Sequence, residues 1–404
     1  MSGTTTPDLL TPEFTQDPYR LYRDLREGGP AHRTIVKTLT VELHAWVITR
    51  YDQARALLAD RRLSKDAGGL PEVVERHKVR PEPVALANFA SMLFSDPPDH
   101  TRLRRIVGRA FTMRRVQGLR PWIEEATDRL LDRIEPGAVT DAVDAVASPL
   151  PISVIGALLG VPAERHEDFR AWNAIFTSVD ATMADKQHAH VAATRYLSGL
   201  ITEKRAAPAD DMVSALAHPD GEDPALDDTE LLSTIFLVMN AGYETTASMI
   251  GNAVHALLAD PTLRQTLRAE PDRVPRAVEE FLRHESPLNL ATVRYTLEPV
   301  PVGDVVIPAG EIVFVSLASA NRDGTRFTEP DRLDVGRAEN SHLSFGHGIH
   351  HCVGAPLARL EGEIALRGLL DRFARWELAV PTSELRWRNS LQFRSLERLP
   401  VRFA

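Results

Sequence analysis

The feature that most constrains this chain is a helical pattern running from Asp227 to Asp260 and stopped by Pro261. Asp227, with Glu230 three residues on, is a capping box that marks its start. At 1.5 Å per residue such a helix spans roughly 50 Å, the width of a whole domain. Its apolar residues lie nearly all round rather than along one stripe, so other elements must wrap it on every side. A membrane would also do so, but Glu244 sits in its middle and Ser233, Thr234 and Asn240 interrupt any apolar run long enough to span. The expectation is a buried central helix, with a charge placed where charge is costly and the rest of the chain folded around it.

The flanking patterns fit that expectation. Asp17 to Arg26 reads as a short helix, His32 to Arg50 alternates as a hairpin does, and Tyr51 to Leu58 returns to helical periodicity. Arg61 to Asn88 is irregular and rich in Pro, Gly and charge, the composition of a loop that carries specificity. Arg102 to Lys204 is a succession of helical patterns. Pro301 to Leu317 holds two β-rich runs around Pro308-Ala309-Gly310, and Trp376 to Val380 and Leu399 to Phe403 read as further strands. The fold class is therefore mainly α with small β-sheets at the edge, α+β.

At 404 residues and 43% hydrophobic the chain can bury a large core, yet no linker or repeat divides it, so one domain over residues 1–404 is expected. A net charge of −9 argues against a nucleic-acid partner. One cysteine excludes an intramolecular disulfide and fits a reducing cytoplasm, and the polar N-terminus, MSGTTTPDLLTPEFTQDPY, carries neither a signal core nor a membrane anchor.

That cysteine, Cys352, stands in FGHGIHHCVGAPLARLE, a glycine-dense loop running into an amphipathic helix. Gly346, Gly348 and Gly354 clear side chains from around the sulfur, and Pro356 suits a first helical turn. A thiolate there could bind a haem iron. The residues alone leave three other readings open: a buried structural thiol, a transition-metal site with His347, His350 and His351, and a cysteine nucleophile.

Taken whole, the stretch resembles the signature of the cytochrome P450 superfamily of haem-thiolate monooxygenases, F-G-x-G-x-H-x-C-x-G followed by L-A-R-x-E. Phe345, Gly346, Gly348, His350, Cys352, Gly354, Leu357, Ala358, Arg359 and Glu361 fill every fixed position. AGYETT, Ala241 to Thr246, is similar to the family's oxygen-activation motif. Gly242 is a poor helix former and the following hydroxyls can bond the preceding turn, so the central helix is expected to loosen here. Glu280 and Arg283 match the E-x-x-R motif, and Pro330-Asp331-Arg332-Leu333 resembles the segment that supplies its third member, Arg332, although Leu333 stands where the family has Phe.

The resemblance implies the triangular, mostly helical P450 prism of the soluble, actinobacterial-like class. It implies haem b held by Cys352, and a proton relay of Glu244 and Thr245. Ala241, Gly242, Phe345, Gly346 and Gly354 would line the cofactor, while His100, Arg104, Arg294 and His350 would meet its carboxylates. Glu280, Arg283 and Arg332 would form a structural network. Asn240, Leu290, Ala291, Leu391 and Gln392 would touch substrate, a hydrophobic small molecule such as a polyketide, macrolide, steroid or terpenoid. One oxygen atom from O2 would be inserted, with NAD(P)H electrons arriving through a ferredoxin reductase and a ferredoxin. An acidic ferredoxin would dock on the Arg-rich stretch Thr101 to Arg120, which includes Arg109 and Arg115. The rival readings are a peroxide-driven haem-thiolate enzyme and a haem-binding protein without turnover, neither of which has much use for Glu244 and Thr245.

Overall fold

The computed structural model describes residues 12–37, 41–80, 91–178, 181–219, 225–390 and 392–404. It is rich in helix, with small sheets, and divides into two compact units. One comprises Met1–Leu86, Arg276–Cys352 and Arg386–Ser395, and the other Ala87–Pro275, Val353–Leu385 and Leu396–Ala404.

The second unit is built around the expected helix, Asp228–Ala259, here the central helix. Its capping box is complete: the Asp227 carboxylate accepts from the Glu230 N–H at 2.8 Å, and the Glu230 carboxylate accepts from the Asp227 N–H at 3.1 Å. Arg102 forms an ion pair with the same Glu230, which ties the neighbouring Asp99–Gly108 helix to this terminus. Against the central helix pack Pro149–Leu159, Met183–Ala206 and Ala355–Arg372, the last here called the cysteine helix. Pro149–Leu159 is apolar on nearly every face, and Gly160, at φ +71°, terminates it in the left-handed conformation. A three-stranded antiparallel sheet, in the order Val139–Asp141, Pro400–Phe403, Trp376–Leu378, gathers the C-terminus. Val401 and Phe403 point inward and Arg402 outward, the two-residue period of a half-buried strand.

The first unit carries the larger sheet. The hairpin Ala31–Lys37 and Glu42–Ile48 pairs in register from Ala31↔Ile48 to Lys37↔Glu42, and its second strand runs parallel to Ile312–Val315. Arg294–Thr296 and Leu63–Ser64 complete the five strands. Ile48, Val313, Val315, Leu57 and Phe327 form the core beneath it.

One expectation is met and one needs correction. The two β-rich runs around Pro308-Ala309-Gly310 are the strands Val305–Ile307 and Ile312–Val315, and a further strand, Val300–Val302, pairs with the first of them across a tight turn at Gly303, φ +60°. A left-handed glycine matches the twist of a tight hairpin. The stretch taken as an irregular loop contains a helix, Leu70–His77, whose buried Leu70, Val73 and Val74 are too few to outweigh the surrounding Pro and Gly in a sequence reading. Residues 81–88 of that stretch lie outside the described residues. Among the described residues no helix is long and apolar enough to cross a membrane.

Candidate active site

In the first unit the Cys352 N–H donates to the Phe345 carbonyl at 2.8 Å and closes the loop between them. Gly346 and Gly348 hold φ of +73° and +76°, the region a Cβ disfavours. Gly348 also abuts the end of the Tyr51–Leu58 helix, where a Cβ would meet Ala59 Cα at 2.9 Å and the Leu58 carbonyl at 3.0 Å. These glycines are therefore demanded by the path of the loop. The Phe345 ring lies tilted against His342 and His351, with centroids 6.0 and 6.3 Å away. Cys352 itself is exposed, which removes the reading of a buried structural thiol. Among the described residues no group of three or more His, Cys, Asp or Glu could hold a metal ion, so the nearby histidines do not build a shared metal site with the sulfur.

In the second unit the cysteine helix starts at Ala355, with Pro356 in its first turn and Gly354 as its N-cap. Its peptide dipoles favour a thiolate just ahead of it in the chain. Glu361 on this helix is 1% exposed, and burial holds its carboxyl well above the usual range. Glu361 stands in the signature, and in the sequence only its apolar neighbours signal that it is a buried acid.

The central helix runs unbroken through Ala241 to Thr246, so the loosening expected at Gly242 is not present. Gly242 has a packing role instead: a Cβ there would overlap Ile155 of the Pro149–Leu159 helix. The hydroxyls add to the helical ladder rather than replace it, with Thr245 donating to the Ala241 carbonyl at 2.9 Å and Ser248 to that of Glu244 at 2.7 Å. Glu244 is 4% exposed. Leu237, Ala241 and Thr245, at i, i+4 and i+8, make an accessible stripe on the helix, and Ala241 is its most open point. Because the Thr245 proton is engaged by a carbonyl, the lone pairs of its oxygen remain to accept a hydrogen bond.

Arg283 is fully buried and uses all five of its donors. Nε and Nη2 grip Glu280 at 2.8 and 2.7 Å, Nη1 donates to the Asn321 and Pro330 carbonyls, and Nη2 also donates to the Arg332 carbonyl at 3.0 Å. Arg332 therefore contributes its backbone, while its side chain lies exposed beside Glu329. The second guanidinium on Glu280 is that of Arg337, with Nε 3.4 Å from the carboxylate and a nearly buried side chain. Assignment of the Arg332 side chain to this network is corrected to Arg337. The chain turns between the two residues, which a linear motif does not record.

His100 and Arg104 share one face of the Asp99–Gly108 helix, His100 buried and Arg104 half-buried. Arg294 is buried and donates to the Thr292 carbonyl at 2.9 Å, and His350 is half-buried in the turn before the cysteine. Of the substrate candidates, Asn240 is half-buried and donates to the Phe236 carbonyl. Leu290 and Ala291 are buried, Ala291 within the core of the first unit. The Gln392 carbonyl accepts from Asn289 at 2.8 Å, and Leu391 lies outside the described residues. In the Arg-rich stretch, Arg102 and Arg120 are committed to Glu230 and Glu363, while Arg105, Arg109, Arg114 and Arg115 are exposed.

The residues present suit a haem. A single exposed thiol with no grouped metal ligands leaves the other iron positions to a macrocycle and to small molecules, and the donor is the soft anionic sulfur such iron takes.

A family model described as Cytochrome P450 matches residues 138–389. Cytochrome P450 107B1 of Saccharopolyspora erythraea is 46% identical over 408 residues, covering 100% of this chain and 99% of that protein. The 6-deoxyerythronolide B hydroxylase of the same organism is 40% identical over 405 residues, 99% of each. Among solved structures, the P450 monooxygenase TamI bound to tirandamycin C superposes with a TM-score of 0.91 at 42% identity, covering 98% of this chain and 100% of that one. A match of this identity over the full chain joins the thiol loop and the helical fold in one conclusion: the chain belongs to the cytochrome P450 family and is a monooxygenase that binds haem b.

Proposed function

We propose that this enzyme hydroxylates a hydrophobic small molecule of secondary metabolism, of the polyketide or macrolide class, with electrons from NAD(P)H delivered through a ferredoxin and its reductase. The observation that carries the reading is the exposed Cys352 thiol on its glycine-fixed loop. Relatives named for 6-deoxyerythronolide B hydroxylation and for tirandamycin C binding support the substrate class.

Haem b, when bound, supplies the activation of dioxygen and the oxidant for the C–H bond. Cys352 holds it as a thiolate. His100, Arg104, Arg294 and His350 are the donors for its two carboxylates, with the arginines able to bind in bidentate fashion. Thr245, its proton given to the Ala241 carbonyl, accepts a hydrogen bond from a water in the open stripe and so fixes the direction in which that water releases its proton. Glu244 is the acid that resupplies the water. Arg105, Arg109, Arg114 and Arg115 give an acidic ferredoxin a cationic face on a protein that is acidic overall.

The test is Thr245→Ala. Haem content and substrate affinity should hold, while product formed per NAD(P)H falls on the order of 10²-fold and peroxide takes its place. Coupling equal to that of the wild type would leave Thr245 as packing and remove the relay.

A further inference from the structure

The segment that leads into the cysteine loop runs alongside the Val274–His284 helix, and every second residue of it is tied there. Asn340 Nδ2 donates to Glu280 at 3.2 Å, His342 Nε2 lies 3.2 Å from Glu279 Oε2, and the Ser344 hydroxyl donates to the Leu282 carbonyl at 2.7 Å. Glu280 belongs to the Arg283 network; Glu279, its neighbour in the chain, faces His342 instead. The Ser344 N–H donates to His342 Nδ1 at 3.2 Å, so that nitrogen accepts and the ring proton stands on Nε2, aimed at the Glu279 carboxylate. The His342 side chain is 3% exposed and that of Glu279 28%, so the carboxylate keeps contact with water while the ring does not.

An imidazole that donates to a carboxylate from one nitrogen and accepts a backbone amide at the other is fixed in tilt as well as in place. That tilt is passed on. The His342 ring lies against Phe345, with centroids 6.0 Å apart and planes at 44°, and Phe345 is the residue whose carbonyl accepts the Cys352 N–H at 2.8 Å. The chain between the two rings is held as well: the Leu343 N–H donates to Asn321 Oδ1 at 2.7 Å, and the Leu343 carbonyl accepts from the Gly346 N–H at 2.7 Å. With the backbone fixed on both sides of Phe345, the imidazole braces its ring and, through it, the peptide that closes the loop. The N–H of Cys352 and its sulfur share one Cα, so a shift of that peptide moves the sulfur too. A metal ligand tolerates displacements of only about 0.5 Å from its productive geometry.

We propose that Glu279 and His342 are a positioning pair for the cysteine ligand: the carboxylate orients the imidazole, the imidazole braces Phe345, and Phe345 holds Cys352 where its sulfur stays an anionic ligand. The inference rests on Cys352 being the iron ligand, and it adds two residues that the Arg283 network does not contain. Neither of them touches the reacting atoms. Glu279 acts through His342, and His342 acts through Phe345.

The test follows the reduced, carbon-monoxide-bound protein over time at one temperature, where conversion of the red-shifted Soret band to a blue-shifted one measures loss of the thiolate ligand. His342→Phe keeps a ring beside Phe345 but neither hydrogen bond. It should speed the conversion on the order of tenfold or more, the scale for removing a group that orients a metal ligand. Glu279→Ala breaks the same contact from its more exposed side and should act in the same direction. His342→Gln, whose amide N–H can still reach Glu279, should recover most of the lifetime of the band. A packing loss elsewhere, Ile123→Val in the core of the second unit, should lower Tm and leave the conversion rate unchanged. In parallel, hydrogen exchange on the protein as purified should show the Cys352 amide less protected in His342→Phe, with the amides of the Val274–His284 helix unaltered. A His342→Phe band as long-lived as that of the wild type overturns the pair. So does a His342→Gln protein that converts as fast as His342→Phe, or an Ile123→Val protein that does. Absence of the red-shifted band in the wild type would instead sink Cys352 as the ligand, and exchange at the Cys352 amide would still judge whether the pair braces the loop.

Discussion

Arg283 shows how far one residue can be over-determined. Five donors meet Glu280 and three backbone carbonyls in a fully buried space, so a lysine there would present a single charge with fewer donors in the wrong geometry. Arg283→Lys should cost about 3–5 kcal/mol, as a broken buried pair does. Arg332→Ala should stay within about 0.5 kcal/mol, because its exposed side chain is not what Arg283 uses. Urea unfolding of the two variants checks the contrast; a large loss at Arg332 would restore it to the network in place of Arg337. At this scale Glu280 and Arg283 were legible through their match to the family's E-x-x-R motif, since the spacing alone is common on exposed helix faces. Arg337 was hidden because its contact with Glu280 spans 57 residues and depends on a turn.

Among the elements, the central helix was legible to within a residue because its cap is written in Asp227 and Glu230 and its end in Pro261. What Gly242 does on it was not, since a low helix propensity and a close approach by Ile155 leave the same letter in the sequence. The two accounts predict opposite signs. Relief of poor propensity alone makes Gly242→Ala stabilising by about 1 kcal/mol. The contact makes it destabilising by about 1–2 kcal/mol after that gain, and Ile155→Val in the same chain should return part of the loss. Thermal unfolding of the single and double variants decides.

The helix Val274–His284 gives a second test at this scale, through its end. His284 Nδ1 accepts from Arg322 at 3.2 Å, so Nε2 carries the proton given to the Asp331 carbonyl at 3.0 Å. Burial, aided by Arg322, pushes its pKa down to about 4. Next to it burial opposes the charge of Glu285, yet Arg394 and Arg322 outweigh burial and hold it at about 2. Between pH 4 and 6.5 the unfolded chain binds the His284 proton and the folded one does not, so stability rises with pH there and is lost on acidification. The full interval is worth about 3 kcal/mol. His284→Gln should flatten the pH dependence of Tm in that window and leave the fall below pH 4 that Glu285 contributes. An unchanged slope would assign the acid sensitivity elsewhere.

For the whole molecule, reaction class was readable and substrate was not, for a physical reason. The chemistry we propose rests on contiguous stretches, Phe345 to Glu361 and Ala241 to Thr246, whose spacing survives in the linear sequence. The guest is met by residues that only the packing of separate elements brings together, so they leave no spacing to read. Net charge has the same limit: −9 argues against a nucleic-acid partner but hides an exposed group of arginines, which local exposure reveals. Everything functional nevertheless depends on one atom, the sulfur of Cys352, acting as an anionic iron ligand. The spectrum of the reduced, carbon-monoxide-bound protein tests that most directly. The wild type should show the red-shifted Soret band of thiolate ligation and Cys352→Ser should lose it with its far-UV circular dichroism unchanged, because serine is too weakly acidic to replace the thiolate; a Cys352→Ser protein that kept the wild-type band would contradict the account.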